Sequence, residues 1–206
     1  MSNFLLAFIL GYVFGCFQTS YFLSKKFINK DIRKMGSGNA GASNVTSEMG
    51  LKFGIITAIL DILKAYLPVK LILIILPTAN QQIELMVIAG TAAILGHIFP
   101  FFMNFKGGKG IASYLGVLLG IDLQLGGMIF ILLCLVIIIT NYVAIGSIFL
   151  YLLIPILIFY CEYYSIIVIV CSLILLLIGI LKHITNIKRI MNGSELSLRS
   201  AFNKKR

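Results

Sequence analysis

The chain has 206 residues, of which 60% are hydrophobic and only 12% are charged, and its mean hydropathy is +1.04. This composition excludes an ordinary soluble domain, because too little polar surface remains to keep the chain dissolved. The net charge of +10 therefore calls for a membrane explanation before a nucleic-acid one. We expect an all-α integral membrane protein, a polytopic helical bundle forming one domain over residues 1–206, with no nucleic-acid partner.

Apolar runs long enough to cross a bilayer recur along the chain. A helix rises about 1.5 Å per residue, so about 20 apolar residues cross a hydrocarbon core of about 30 Å. We predict about seven transmembrane helices. Five are the alternative, because the fourth and fifth runs are short and bounded by weak polar breaks. The predicted spans are residues 4–24, 53–76, 83–102, 111–121, 125–140, 143–160 and 165–181.

The positive charges indicate the orientation of these spans. Most of the 17 Lys and Arg residues fall at residues 25–34, 52, 106–109 and 182–206, whereas the opposite breaks hold Glu84, Asp122 and Glu162. Short cytoplasmic loops collect Lys and Arg, and external loops do not. We therefore predict an external N-terminus and a cytoplasmic C-terminus.

The first apolar run could be a cleaved signal peptide, and the four cysteines could be metal ligands. The first positive charges, Lys25 and Lys26, follow the first apolar run, which is the wrong polarity for a cleaved signal peptide, so we expect it to remain as a span. The four cysteines form no CxxC pair and have no histidine at ligand spacing. We interpret them as packing residues and expect no metal site.

The first unusual linker, residues 36–44, reads GSGNAGASN and is called the first glycine loop. Gly36, Gly38 and Gly41 permit a tight turn whose backbone amides face inward, a geometry that cradles phosphate. These glycines also match GxGxxG. A dinucleotide fold is excluded because no βαβ unit surrounds them.

The second unusual linker, residues 105–110, reads FKGGKG and is called the second glycine loop. Lys106 and Lys109 lie among glycines just before a predicted helix, where unpaired amides and the helix dipole favour an anion. Composition alone leaves a second interpretation equally open, in which this is a flexible, positively charged cytoplasmic loop.

The third candidate segment, residues 183–195, follows the last predicted span and is called the tail segment. His183, Asn186 and Arg189 are spaced by three, so they share one face if the helix continues. Gly193 and Glu195 follow them. An amphipathic interfacial tail would have the same pattern, so the spacing by itself is weak evidence for a site.

Two ionisable residues, Asp61 and Lys64, lie within the second span at a spacing of three. Charge inside a membrane is costly unless it is functional or paired, and this spacing allows the two to pair with each other. We favour a structural ion pair that orders the bundle near the site. His97, between Gly96 and Pro100, is by itself more typical of a structural histidine.

Together these segments resemble the bacterial acyl-phosphate:glycerol-3-phosphate acyltransferase family (PlsY) over nearly the whole chain. The first glycine loop is similar to that family's GSGNxGATNxxR, and Asp61 and Lys64 match its Asp-x-x-Lys. Residues 96–100 and 105–110 match GHxFP and FKGGKG, and the tail segment matches H-x-x-N-I-x-R.

Two positions depart from the family motifs. Ser47 stands where the first motif has an arginine, for which Lys52 and Arg33 are candidate replacements, and Ile184 stands where an arginine often follows the tail histidine.

The resemblance implies transfer of a fatty acyl group from acyl phosphate to the 1-hydroxyl of glycerol 3-phosphate, giving lysophosphatidic acid for phospholipid synthesis. Neither coenzyme A nor another cofactor is needed. The expected partners are the two substrates and membrane lipids. We expect a monomeric, multi-pass protein of the bacterial inner membrane, whose active site faces the cytoplasm.

The motifs also imply roles for individual residues. Phosphate binding is assigned to the first glycine loop, binding of the glycerol phosphate to the second, and orientation of the acceptor hydroxyl or acyl carbonyl to the tail segment. Arg189 and Glu195 are assigned structural roles. The catalytic candidates are Ser37, His183 and Asn186. The substrate-binding candidates are Gly36, Gly38, Asn39, Gly41, Asn44, His97, Lys106, Gly107, Gly108 and Lys109.

Two other functions remain open from the sequence. An anion transporter would also use glycine loops and intramembrane charges, although it should place polar ligands near the bilayer midplane and contain an inverted repeat, which is not visible here. An inactive paralogue, or one with an altered substrate, is the other alternative because of Ser47.

Overall fold

The protein is described by a computed structural model that covers residues 2–77, 80–160 and 165–203. Within those ranges the chain contains helices and no strand. The α-helices are α1 (Ser2–Cys16), α2 (Thr19–Ile28), α3 (Ala42–Met49), α4 (Leu51–Ile75), α5 (Gln82–Ile98), α6 (Ile111–Ile121), α7 (Leu123–Thr140), α8 (Val143–Tyr160), α9 (Ile166–Met191) and α10 (Leu198–Asn203). Two short 3₁₀ turns are Ile32–Lys34 and Phe101–Met103.

The chain divides into two compact units, Met1–Gly126 and Gly127–Arg206, and each is described separately. The first unit contains both glycine loops and the Asp61–Lys64 pair. The second contains the tail segment. That residues 1–206 act as one domain stays a prediction.

The all-α membrane class is confirmed. Helices suit the hydrocarbon core because every backbone group within them is satisfied internally. Of the described residues, five helical segments are long and apolar enough to cross a membrane, and Ile111–Ile121 is a shorter apolar helix. The five are Asn3–Ile28, Gln82–Met103, Leu123–Thr140, Val143–Tyr160 and Ile166–Met191.

Helix α4 has 25 residues but carries ionisable side chains. The count of seven spans and their orientation stay predictions. Cys161 and Glu162 lie outside the described residues.

The first predicted span, residues 4–24, is two helices rather than one continuous helix. α1 ends at Cys16 and α2 begins at Thr19, and the backbone between them uses partners outside its own helix. The carbonyl oxygen of Phe17 accepts a hydrogen bond from Lys64 Nζ at 2.6 Å, and Gln18 Nε2 donates to the carbonyl oxygen of His97 at 2.9 Å. A helix can break at membrane depth when neighbouring groups of the protein satisfy the freed backbone in this way.

Helices α1 and α5 pack with their backbones in contact. A methyl group placed on Gly11 would overlap the carbonyl oxygen of Ala89, and one on Gly15 would overlap that of Ala93. A methyl group on Gly96 of α5 would likewise overlap the carbonyl oxygen of Tyr12 in α1. Small residues allow this approach, which drives helix association where the lipid provides no hydrophobic force.

Helix α6 also packs closely on α4 through a glycine. Gly116 lies against the backbone of Ile62, so that a side chain there would overlap its carbonyl oxygen. One turn earlier, Ser113 Oγ donates to the carbonyl oxygen of Asp61 at 3.2 Å. These contacts fix α6, and therefore the second glycine loop that precedes it, on the helix that carries Asp61 and Lys64.

In the second unit, α8 and α9 pack through Gly179, on which a methyl group would overlap the Tyr151 ring. The segment after α9 folds back onto the turn between α7 and α8. There the amide of Leu198 donates to the carbonyl oxygen of Asn141 at 2.7 Å, and the amide of Arg199 donates to Asn141 Oδ1 at 3.0 Å. The left-handed Asn141 (φ 65°) presents both acceptors.

We predict that Gly15→Ala destabilises the first unit, because the new methyl group forces α1 and α5 apart. Overpacking of this kind costs about 1 to 3 kcal/mol. Gly127→Ala is the matched control, since a methyl group there meets no atom within 4 Å. Thermal unfolding of the purified protein in detergent should show a lower midpoint for Gly15→Ala only. Equal midpoints for the two variants would contradict the close crossing of α1 and α5.

Candidate active site

The first glycine loop is a turn that ends in a helix. Gly36 (φ 51°) and Gly38 (φ 75°) adopt the left-handed region, which residues with a Cβ atom rarely occupy. The loop closes at Gly41, which caps the start of α3. Ser37 is exposed and Asn39 is half-buried, so both reach the surface beside that helix start. The prediction of a tight glycine turn is confirmed in this geometry.

Asn44 holds the first glycine loop together from inside. Its Oδ1 accepts a hydrogen bond from the Ser37 amide at 2.9 Å, and its Nδ2 donates to the carbonyl oxygens of Ile32 and Met35, both at 3.1 Å. The amide of Gly38 is also used within the turn, since it donates to the Met35 carbonyl oxygen at 2.9 Å. The geometry therefore makes Asn44 a support for the loop, and the Ser37 and Gly38 amides already have partners.

The second glycine loop folds back on the end of α5. The amides of Gly107 and Gly108 donate to the carbonyl oxygens of Ile98 and His97, each at 3.1 Å. A methyl group on Gly107 would overlap the His97 carbonyl oxygen, so the close approach requires glycine. Asn104 (φ 54°) and Phe105 (φ 57°) make the reversal in the left-handed region. The glycines therefore shape the loop, and their amides are used within the chain.

A helix begins where the second glycine loop ends, as the sequence predicts. Gly110 (φ 86°) caps α6, whose first intrahelical bond runs from the Tyr114 amide to the Gly110 carbonyl oxygen at 2.7 Å. The first amides of a helix have no partner within it and carry the positive end of its dipole. Lys106 is exposed and Lys109 half-buried beside this helix start. Cationic side chains and oriented amides thus lie at one place, which suits an anionic ligand.

The two glycine loops contact each other. A methyl group built on Gly108 would overlap Nε2 of His97 and would lie 2.8 Å from the carbonyl oxygen of Ala40 in the first loop. We call Gly108, Ala40 and the Nε2 edge of His97 the loop junction. Below it, Ile32, Ala40, Val45 and Met103 form one buried apolar cluster. The structure therefore brings together two segments that lie more than 60 residues apart in the sequence.

The Asp61–Lys64 pair predicted from the sequence is confirmed, at 2.9 Å between Oδ1 and Nζ, and it is part of a larger network. Thr19 Oγ1 donates to Asp61 Oδ1 at 3.1 Å, and Lys64 Nζ lies 2.9 Å from Nδ1 of His97. We call Gln18, Thr19, Asp61, Lys64 and His97 the buried polar cluster. All five are buried. His97 is thus buried as a structural histidine would be, while its Nε2 edge lies at the loop junction.

Arg33, one candidate replacement for the arginine missing at Ser47, is engaged elsewhere. It forms a salt bridge with Asp31 at 2.7 Å, donates to the Met103 carbonyl oxygen at 2.7 Å, and lies over the Tyr21 ring. The hydrogen bonds from Arg33 lower the pKa of the Asp31 carboxyl group. Arg33 therefore ties the first loop region to the turn before the second loop. Lys52, the other candidate, is exposed in the first turn of α4.

The tail segment belongs to the second unit. The helix does continue through these positions, since α9 ends at Met191, and His183 and Asn186 are buried on it whereas Arg189 is exposed. His183 Nδ1 lies 2.7 Å from the Gly179 carbonyl oxygen, and Asn186 Nδ2 donates to Glu195 Oε1. The Arg189 carbonyl oxygen accepts from the Glu195 amide at 3.2 Å in the turn after α9. Glu195 thus holds the amide group of Asn186 in a fixed orientation.

The break between α1 and α2 contributes two polar groups that no sequence motif predicts. Phe17 acts through its backbone carbonyl and Gln18 through a side chain within an apolar run, and neither belongs to a motif. Tyr12 is a similar case, because its hydroxyl donates to the Phe99 carbonyl oxygen at 2.8 Å. A glutamine inside a predicted span was the available signal, since a buried amide requires partners.

Known proteins are similar to this chain over nearly its whole length. Residues 5–193 match the family described as Glycerol-3-phosphate acyltransferase. The chain is 40% identical to Glycerol-3-phosphate acyltransferase 1 of Oceanobacillus iheyensis, with 98% of each chain covered. It is 37% identical to Glycerol-3-phosphate acyltransferase 2 of Lactobacillus johnsonii, with 94% of this chain and 87% of the relative covered.

Solved structures show the same fold. The crystal structure of PlsY (YgiH), an integral membrane glycerol 3-phosphate acyltransferase, in its glycerol 3-phosphate form has a TM-score of 0.84 at 29% identity, with 96% of each chain covered. Its lysophosphatidic acid form has a TM-score of 0.82 at 27% identity, covering 98% of this chain and 99% of that one. The chain therefore belongs to the glycerol-3-phosphate acyltransferase family.

Proposed function

We propose that the protein transfers a fatty acyl group from acyl phosphate to the 1-hydroxyl of glycerol 3-phosphate, forming lysophosphatidic acid and inorganic phosphate. The observation that carries the proposal is the loop junction, where Gly108 of one glycine loop meets Ala40 of the other. Each loop leads directly into a helix, α3 or α6. Two helix starts beside Lys106 suit the two phosphate groups that this reaction must hold together.

Acyl transfer from acyl phosphate requires little from the protein beyond binding the two phosphate groups. Acyl phosphate is a mixed anhydride, so its acyl carbon is already activated and the protein does not have to supply a nucleophile. The acceptor oxygen bonds to the acyl carbon, the bond from that carbon to the phosphate oxygen breaks, and the hydroxyl proton passes to a phosphate oxygen. The protein aligns the two head groups and stabilises the developing oxyanion with N–H donors and Lys106.

We assign the following roles to the candidate site residues. Ser37 and Asn39 reach the surface beside the start of α3, where they contact a phosphate. Lys106 and Lys109 bind the glycerol phosphate beside α6. Gly36, Gly38, Gly41, Gly107 and Gly108 shape the two loops so that the starts of α3 and α6 lie close to the ligands, and Asn44 supports the first loop from within. His97 donates to a head group, and His183 and Asn186 orient the acceptor hydroxyl or the acyl carbonyl.

A second candidate function, an acyltransferase with a weakened or altered acceptor site, is favoured by one observation. Ser47 lies in α3 where the family motif has an arginine, and Arg33 is held by Asp31, Met103 and Tyr21. The acceptor phosphate therefore has one cation fewer than the motif provides, unless the exposed Lys52 reaches it. A weaker contact changes the affinity for the acceptor while leaving the donor site intact.

We also propose that the protein is a monomer of the bacterial inner membrane with its N-terminus outside and the glycine loops on the cytoplasmic side. The support is the positive charge of the segments at residues 25–34 and 106–109, which is typical of cytoplasmic loops. In intact cells, a membrane-impermeant thiol reagent should label Gln81→Cys but not Lys30→Cys, each in a background without native cysteines. Both positions are exposed. The reverse labelling pattern would contradict this orientation.

The central test is an acyl transfer assay with palmitoyl phosphate and labelled glycerol 3-phosphate. We expect the wild-type protein to form lysophosphatidic acid and Lys106→Ala to lose about ten- to a hundredfold in kcat/KM, the usual effect of losing one charged phosphate contact. Lys30→Ala, an exposed lysine outside both glycine loops, is the control and should retain full activity. Transport of glycerol 3-phosphate into proteoliposomes without product formation would instead favour an anion transporter.

The altered acceptor site is tested by Ser47→Arg. Because the variant restores the missing cation, we expect the KM for glycerol 3-phosphate to fall by about tenfold or more, while the KM for palmitoyl phosphate stays unchanged. Ser47→Gln adds a long polar side chain without charge and should not lower the KM. An unchanged KM for glycerol 3-phosphate in Ser47→Arg would remove Ser47 as the cause of a weak acceptor site.

A further inference from the structure

The buried ammonium group of Lys64 has three partners from three different elements. It donates to the Phe17 carbonyl oxygen at 2.6 Å, lies 2.9 Å from Asp61 Oδ1, and lies 2.9 Å from Nδ1 of His97. An ammonium group has three hydrogens and no lone pair. Three acceptors therefore satisfy it completely, and the nitrogen of His97 is one of them.

This contact determines which nitrogen of His97 carries the hydrogen. Since Lys64 only donates, Nδ1 of His97 accepts through its lone pair, and the hydrogen of the ring lies on Nε2. Asp61 Oδ1 lies 3.8 Å from Nδ1, which is too far for a hydrogen bond that would stabilise the other tautomer. Nδ1 thus faces the ion pair, and Nε2–H is turned to the opposite edge of the ring.

That opposite edge lies at the loop junction. Gly108 packs directly against Nε2, so that a methyl group there would overlap it, and the Ala40 carbonyl oxygen lies next to the same point. The orientation of the ring is fixed by its own backbone as well, because the His97 carbonyl oxygen accepts from Gln18 Nε2 at 2.9 Å and from the Gly108 amide at 3.1 Å. A donor is therefore held where the two glycine loops meet.

We propose that Lys64 is a positioning residue, which holds His97 in the tautomer whose Nε2–H donates a hydrogen bond to the phosphate group bound at the loop junction. The proposal rests on the proposed function, because the ligand is the head group of glycerol 3-phosphate. In this proposal the Asp61–Lys64 ion pair orients His97 in addition to stabilising the packing of the helices. Lys64 does not touch the substrate itself, and its effect passes through the imidazole ring.

The tautomer is measured directly by ¹⁵N NMR of histidine-labelled protein. The chain has only two histidines, so a His97→Gln sample identifies the His97 signals. We expect the directly bonded hydrogen on Nε2 in the wild-type protein, and we expect the Nε2 signal to shift when glycerol 3-phosphate is added. A hydrogen on Nδ1, or an Nε2 signal that glycerol 3-phosphate leaves unchanged, would overturn the proposal.

The role of Lys64 is tested by the double variant Asp61→Leu/Lys64→Met, which removes both charges together and leaves no buried charge unpaired. We expect a tautomer mixture at His97 and a rise of about ten- to a hundredfold in the KM for glycerol 3-phosphate, with a smaller change in kcat. Ser20→Ala is the matched control, because its buried hydroxyl has no hydrogen-bond partner among the described residues. A folded double variant with the wild-type tautomer and KM would show that the pair is structural only.

Two substitutions of His97 keep the proposal testable if the double variant does not fold. The terminal amide of glutamine can place a donor near the Nε2 position, whereas that of asparagine reaches only the Nδ1 position. His97→Gln should therefore have a lower KM for glycerol 3-phosphate than His97→Asn, and equal values would contradict the proposal. A wild-type protein that forms no lysophosphatidic acid refutes the proposed function instead, and titration of the Nε2 signal with inorganic phosphate still tests this inference.

Discussion

The ammonium group of Lys64 is the point on which the packing of the first unit depends. A charge buried among membrane helices is costly unless every polar atom around it is satisfied, and removing one partner leaves the others unpaired. Here Lys64 joins the break after α1, the carboxylate of Asp61 on α4, and His97 on α5. Three segments are therefore held in one arrangement by a single side chain, immediately below the glycine loops.

Glycine makes the remaining contacts possible. The helices α1 and α5 meet through Gly11 and Gly15, and the second glycine loop folds onto α5 because Gly107 leaves room for the His97 carbonyl oxygen. The amides of Gly107 and Gly108 are used in this folding, so the loop presents the start of α6 and Lys106 rather than its own backbone. The glycines therefore act mainly by allowing the backbone segments to pack closely.

Much of the fold and part of the site could be predicted from local patterns. The long apolar runs predict helices because a bilayer accepts little else, and the i, i+3 spacing of Asp61 and Lys64 predicts their pairing since it places both on one helix face. The helix start at Ile111 follows from the glycine before it. By contrast, the apolar run at residues 4–24 gives no sign of the break after Cys16, which exists because Lys64 and His97 supply partners from distant helices.

The sequence by itself determined the membrane class, the long apolar helices apart from the break after Cys16, the two glycine turns and the family, because these depend on composition, periodicity and motifs that are local in the chain. Only the tertiary structure decided which backbone amides are already used, that Asn44 supports the first loop, and that His97 turns one nitrogen to Lys64 and the other to Gly108. Those facts depend on contacts between segments tens of residues apart. Such contacts arise when the helices pack and have no local pattern in the sequence.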